Sequence, residues 1–171
     1  MFKRFLTLIP ISLAALALAQ NASVVGAKGE GAATSEDGRH GRFNFQMVKH
    51  TRPNGEFRIE GRLRFESLSP AENGHPARHV VIEMGNARVL DKANNVVEFA
   101  GPGVIVVKTR GETVRHEGRV EVRVEDRRRQ TDRRGRPDLF RIGFNFANSD
   151  RHYRFGGEVQ RGDIEVFQRP S

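Results

Sequence analysis

The chain contains no cysteine. Disulfides are therefore excluded, and so is a lipid anchor carried on a cysteine. Neither exclusion argues against export, because a domain of this size holds together without covalent staples. Past its first 19 residues the sequence has no apolar run approaching the roughly 20 residues of a membrane-spanning helix. Sustained 3.6-residue periodicity with capping residues is also missing, so helices are not expected. Catalytic signatures are equally scarce. Ser23, Ser35, Ser67, Ser69, Ser149 and Ser171 have no Gly-x-Ser-x-Gly setting. His40, His50, His75, His79, His116 and His152 form no His-Glu-x-x-His pair, and no phosphate-cradling or dinucleotide fingerprint occurs. Nothing in these residues argues for an enzyme, and the protein is expected not to be one. Acidic charge is in deficit, with 21 acidic against 29 basic residues and a net charge of +8.

What is present begins with an export tag. Lys3 and Arg4 form a positive start, Leu6 to Leu18 an apolar stretch, and Ala17-Leu18-Ala19 a small-residue cleavage site. Residues 1–19 therefore read as a signal peptide. The product is expected to be exported, extracellular or periplasmic, and not membrane-spanning. Residues 20–41, rich in Gly, Ala and Ser, read as a flexible entry segment. Residues 42–171 read as one all-β domain. Residues 20–171 together are long enough to bury roughly 68–70% of the unfolded surface.

The strand pattern is of period two. Phe43, Phe45 and Met47 alternate with Asn44, Gln46 and Val48; Phe57, Ile59, Leu63 and Phe65 share one parity. Pro53-Asn54-Gly55 between them predicts a β-hairpin. Gly61, on the inward parity, predicts a close backbone approach. Val80 to Leu90 reads as a strand region interrupted near Gly85-Asn86, and Gly101-Pro102-Gly103 as a turn. Val104 to Val107 lacks polar alternation, as in a strand covered on both faces. Val120, Val122 and Val124 face one side, while Arg115, Glu117, Arg119, Glu121, Arg123 and Glu125 face the other. That row alternates in sign and reads as a solvated sheet face with cross-strand ion pairs. Phe140, Ile142, Phe144 and Phe146 then share a face, followed by a turn at Asn148-Ser149-Asp150, a bulge or bend at Gly156-Gly157 and another bend at Arg161-Gly162-Asp163. Strand after strand at short spacing predicts a single antiparallel β-sandwich or barrel.

The most unusual stretch is Asp126 to Asp138, which carries Arg127, Arg128, Arg129, Arg133, Arg134 and Arg136. Guanidinium forks suit bidentate contact with carboxylate, sulfate or phosphate, so these six are the candidate anion-binding residues. The plainer reading is a solvated loop whose charges keep a sheet edge soluble. An acidic polysaccharide or another anionic surface is the partner this chemistry suits. The loop lacks aromatic residues for base stacking, which weighs against nucleic acid. Asp126, Asp132 and Asp138, or Asn148, Asp150 and Asp163, invite a calcium reading, but the ordered Asp spacing of a calcium loop is missing. His75 and His79 lack a third ligand for zinc. No metal and no cofactor is expected. His116, on an apolar face, reads as a core histidine.

Tyr153 to Val166 (YRFGGEVQRGDIEV) resembles the end of the post-COAP-1 domain of secreted bacterial proteins. That domain closes with an aromatic, a Gly-Gly pair, Gly-Asn-Ile and an alternating tail; Asp163 stands where Asn is usual. Val120 to Asp126 with Pro137 to Ile142 resembles its preceding hairpin, and Gly41 to Phe45 its start. The resemblance implies an extracytoplasmic β-domain and assigns no catalytic or binding residue. The expectation is thus a secreted, non-catalytic β-domain with a structural or binding role at the cell surface. Other readings of the same residues are acidic-polymer binding through loop 127–136, a small exported hydrolase, or an apolar-ligand carrier if the sheet encloses a cavity.

Overall fold

The computed structural model describes residues 22–69, 77–127 and 135–170. These contain nine strands and no helix: β1 (Ser23–Ser35), β2 (His40–Thr51), β3 (Phe57–Ser69), β4 (Arg78–Met84), β5 (Val89–Ala93), β6 (Val96–Thr109), β7 (Glu112–Glu125), β8 (Leu139–Phe146) and β9 (His152–Pro170). The expected signal peptide lies outside the described residues.

All pairings are antiparallel, and β1 pairs with both β2 and β9. β6 pairs with β5 over Val96–Ala100 and with β4 over Gly103–Lys108. β4 and β5 thus share one place in the sequence of strands, and eight strands close a barrel. Closure removes the free edges that an open sheet would expose.

Alternation puts the large apolar groups inside. Phe65, Phe99, Phe140, Phe144, Met47 and Ile82 are fully buried. Phe43 stacks on Phe140 with ring centroids 4.4 Å apart, Phe65 lies 5.7 Å from Phe140, and Phe155 lies 4.9 Å from Phe65. An eight-stranded barrel is just wide enough for side chains to fill, and here phenylalanine rings do so.

Residues 23–35 differ from the sequence reading. They are not a flexible entry segment but β1, the strand on which the barrel closes. Their inward row is Ala27, Gly29, Gly31, Ala33 and Ser35. A methyl group on Gly29 would stand 3.0 Å from the Phe45 ring and 3.1 Å from Ile164. Small residues on this wall make room for large ones on the neighbouring walls. Composition alone looked like linker because local propensity says nothing about what faces a strand across a barrel.

Gly101-Pro102-Gly103 is likewise not a turn; it lies within β6, where that strand leaves β5 and takes up β4. The Ala100 carbonyl accepts from the Arg88 N–H on that side. Pro102, two residues on, faces the same side in the gap between the two partners, where a missing N–H costs no ladder bond. The bend at Arg161-Gly162-Asp163 does not end a strand either. β9 runs through it with Gln160 bulged out against β1 and Gly162 at φ +97°. Phe57, expected on the core parity, is 57% exposed at the rim, under the Lys49 ammonium at 4.5 Å.

The expected hairpin is β2–β3, with Gly55 at φ +84° and Arg52 N–H donating to the Glu56 carbonyl. Gly61 makes the expected close approach: a methyl there would sit 2.0 Å from the Gln46 carbonyl oxygen.

Candidate functional site

The arginine-rich segment lies in sequence between β7 and β8. Its two flanking aspartates are buried: Asp126 is 2% exposed and Asp138 is fully enclosed. The reason is topological. β8 pairs with β9 only as far as Leu139 opposite Glu158, while β9 continues to Pro170. Beyond that point, among the described residues, the amides of β9 on this side have no strand partner. The Asp138 carboxylate accepts the Ile164 N–H at 3.1 Å and the Arg127 N–H at 2.9 Å, and Asp126 accepts the Val166 N–H at 3.3 Å. The Asp138 carbonyl accepts the Val159 N–H at 2.8 Å. Two carboxylates therefore stand in for a missing strand. Asn95 holds the same corner from the other side: its amide donates to the Asp126 carbonyl, and its carbonyl accepts the Asp126 N–H.

Of the six candidate arginines, Arg128, Arg129, Arg133 and Arg134 lie outside the described residues. Arg127 is part of the base: its guanidinium is 3.0 Å from Glu125 and 3.9 Å from Glu158. The hydrogen bond from Arg127 holds the Glu125 carboxyl below the usual carboxylate range, against the opposing effect of burial. Arg136 is exposed.

A shallow trough crosses the outer wall over β6, β7, β8 and β9, bordered by Arg39, Asp37, Glu98, Arg123, Arg141 and Arg154. Arginine and acidic side chains alternate around it. Arg123 pairs with Glu98, and Arg119 with Glu121 at 3.2 Å. Asp37 is tied to Arg39 at 2.8 Å, and the hydrogen bond from Ser35 lowers the Asp37 pKa. The alternating row on β7 is therefore the solvated, ion-paired face that its sequence predicts.

One mouth of the barrel carries a polar spot. Ser67 Oγ and Tyr153 Oη are buried and have no hydrogen-bond partner among the described residues. Burial pushes the Tyr153 phenol above its ordinary pKa. The Arg39 guanidinium lies 5.7 Å from the Tyr153 ring centre and closes this mouth.

Among the described residues no group of three or more His, Asp or Glu gathers to hold a metal. Asp126 and Asp138 are turned to backbone amides instead. His79 Nε2 is 3.8 Å from Glu66, and His75 lies outside the described residues. His116 is half-buried, its ring edge-on to Phe146 at 5.1 Å. Sequence reasoning missed the trough. Its mark was Gly156 on the outward parity of β9, where a strand ordinarily carries a side chain.

No family model matches the chain, and no curated protein and no solved structure matches it either.

Proposed function

We propose that the protein is an exported, non-catalytic β-barrel with a binding or structural role at the cell surface, and that it engages an acidic polysaccharide from outside the barrel through loop 127–136. The observation carrying this reading is the aspartate clamp. Asp126 and Asp138 are buried on β9 and bracket, in sequence, a segment with six arginines, so its two ends are fixed to the barrel. Loops on rigid scaffolds are where binding residues concentrate. The filled barrel axis supports an outer surface over an enclosed apolar ligand, since a carrier needs a cavity. The charged outward rows support a barrel in water, because a spanning barrel turns an apolar band to lipid. The hydrolase reading is less well supported: the trough acids Glu98 and Glu121 each face an arginine rather than one another.

The test is affinity of the chain lacking residues 1–19 for immobilised polyuronate across a salt series. Binding should weaken with salt, and replacing Arg128, Arg133 and Arg134 by Ser should lower the logarithmic salt slope by about one per charge removed in contact. Absent or salt-insensitive binding would sink the ligand. A turnover abolished by a point mutation would sink the non-catalytic reading.

A further inference from the structure

On the outer wall of β8 and β9, four residues form a square. Arg141 lies opposite Gly156, and Gly143 lies opposite Arg154. The glycines occupy one diagonal and the arginines the other. Each arginine lies across the other strand's glycine: a methyl on Gly143 would stand 2.7 Å from Arg154 Nη1, and one on Gly156 would stand 3.1 Å from Arg141 Cγ. Both arginine side chains are thus laid along the sheet, and both are exposed. Arg154 is pinned by its bonds to Asn145 Oδ1 at 2.8 Å and the Tyr153 carbonyl at 3.0 Å.

Charge distinguishes this square from the other arginines that border the trough. Arg119, Arg123 and Arg127 each have a carboxylate partner. Among the described residues no carboxylate forms an ion pair with Arg141 or Arg154. Arg141 also lies directly opposite Arg123 on β7. Like charges facing one another across a ladder destabilise it; the nearby Glu125 and Glu98 carboxylates offset part of that cost, and a bound anion offsets more of it.

We infer that the Arg141–Gly143–Gly156–Arg154 square is a seat for a carboxylate carried on an acidic sugar chain. Guanidinium forks match a planar carboxylate, and the two glycines let both arginine side chains lie flat along the sheet with their outer sides exposed. The trough's phenylalanines, Phe99 and Phe155, are buried, so no ring is offered for base stacking. The seat is built from β8 and β9 alone, so its test is distinct from that of loop 127–136.

The test is a titration of the chain lacking residues 1–19 with a polyuronate oligomer, followed through the backbone amide signals of Gly143 and Gly156. Both signals should shift. Arg141→Ser should weaken binding about five- to tenfold, as expected for one exposed charge-assisted contact. Gly156→Ala, which changes no charge but crowds Arg141, should also weaken it, while Arg115→Ser on the far part of the wall should not. The free uronic acid should bind at least about tenfold more weakly than the oligomer, which offers several carboxylates at once; equal affinity would overturn a chain as the ligand. The loop variant with Arg128, Arg133 and Arg134 replaced by Ser should keep the glycine shifts. Loss of binding in that variant with unmoved Gly143 and Gly156 signals in the parent would overturn the seat and leave the loop reading standing. Oligomer binding unaffected by both Arg141→Ser and Gly156→Ala would overturn it as well.

Discussion

Replacing Asp138 by Asn should unhook the arginine-rich loop from the barrel. The carboxylate is fully enclosed and accepts two backbone N–H groups, from Arg127 and Ile164. Asn keeps one acceptor and turns an NH₂ toward the other donor. One hydrogen bond to a charged acceptor, worth about 1.5–3 kcal/mol, is lost, and a buried N–H is left unpaired. The neutral amide is easier to bury than a carboxylate, which returns part of that loss. A net destabilisation of about 2–3 kcal/mol follows from these terms. With a urea m-value of about 2 kcal/mol per molar, the midpoint should drop by about 1–1.5 M with little change in slope. Amide hydrogen exchange gives the local readout: the Ile164 and Arg127 amides should lose protection well before those of β2 and β3. Unchanged protection at Ile164, together with an unchanged midpoint, would refute the claim that this side chain replaces a missing strand.

Phe140→Ala should cost about 3–5 kcal/mol in equilibrium unfolding, because the ring is fully buried and stacked on Phe43, whereas Phe57→Ala at the exposed rim should cost under about 1 kcal/mol; similar losses would show that the rings do not fill the axis. Gly61→Ala should destabilise by more than about 1–3 kcal/mol, since φ is +154° and the new methyl meets the Gln46 carbonyl, while Gly85→Ala, with open space around it, should be tolerated; the reverse order in thermal melts would contradict the register of β2 and β3. Glu66, Glu125 and Asp37 all have lowered pKa values in the fold, chiefly through hydrogen bonds from Arg64, Arg127 and Ser35 respectively. Their contribution is therefore present above the unfolded carboxylate value of about 4 and is lost as pH falls through the lower folded values. The loss should be small because these side chains are partly exposed. A Glu125→Gln variant should show a shallower fall of melting temperature below about pH 4 than the parent, and an identical fall would remove Glu125 from the account.

The period-two rows were legible residue by residue. Phe43, Phe45, Phe65, Phe140 and Phe144 point inward because alternate side chains of any strand do, whatever that strand pairs with. The signed row on β7 was legible for the same reason, and so was the turn at Gly55. The Asp126–Asp138 segment stood out as a candidate by its charge alone. Where the reading failed, the deciding neighbour lay far off in sequence. Residues 23–35 looked like linker because their small side chains acquire meaning only opposite Phe45 and Ile164. Pro102 looked like a turn because only the exchange of β5 for β4 creates the gap that tolerates it.

By itself, then, the amino-acid order determined which side of the strongly alternating strands is apolar and where basic charge collects. The tertiary structure decided barrel over sandwich, through the pairing of β1 with β9 and of β4 with β6. It also decided that Asp126 and Asp138 are buried anchors, and that Arg141 and Arg154 cross over two glycines. The physical reason is one of range. Side-chain alternation is a local consequence of backbone geometry, whereas closure and register depend on which distant strands fit together, and a square drawn from two strands exists only once their register is set.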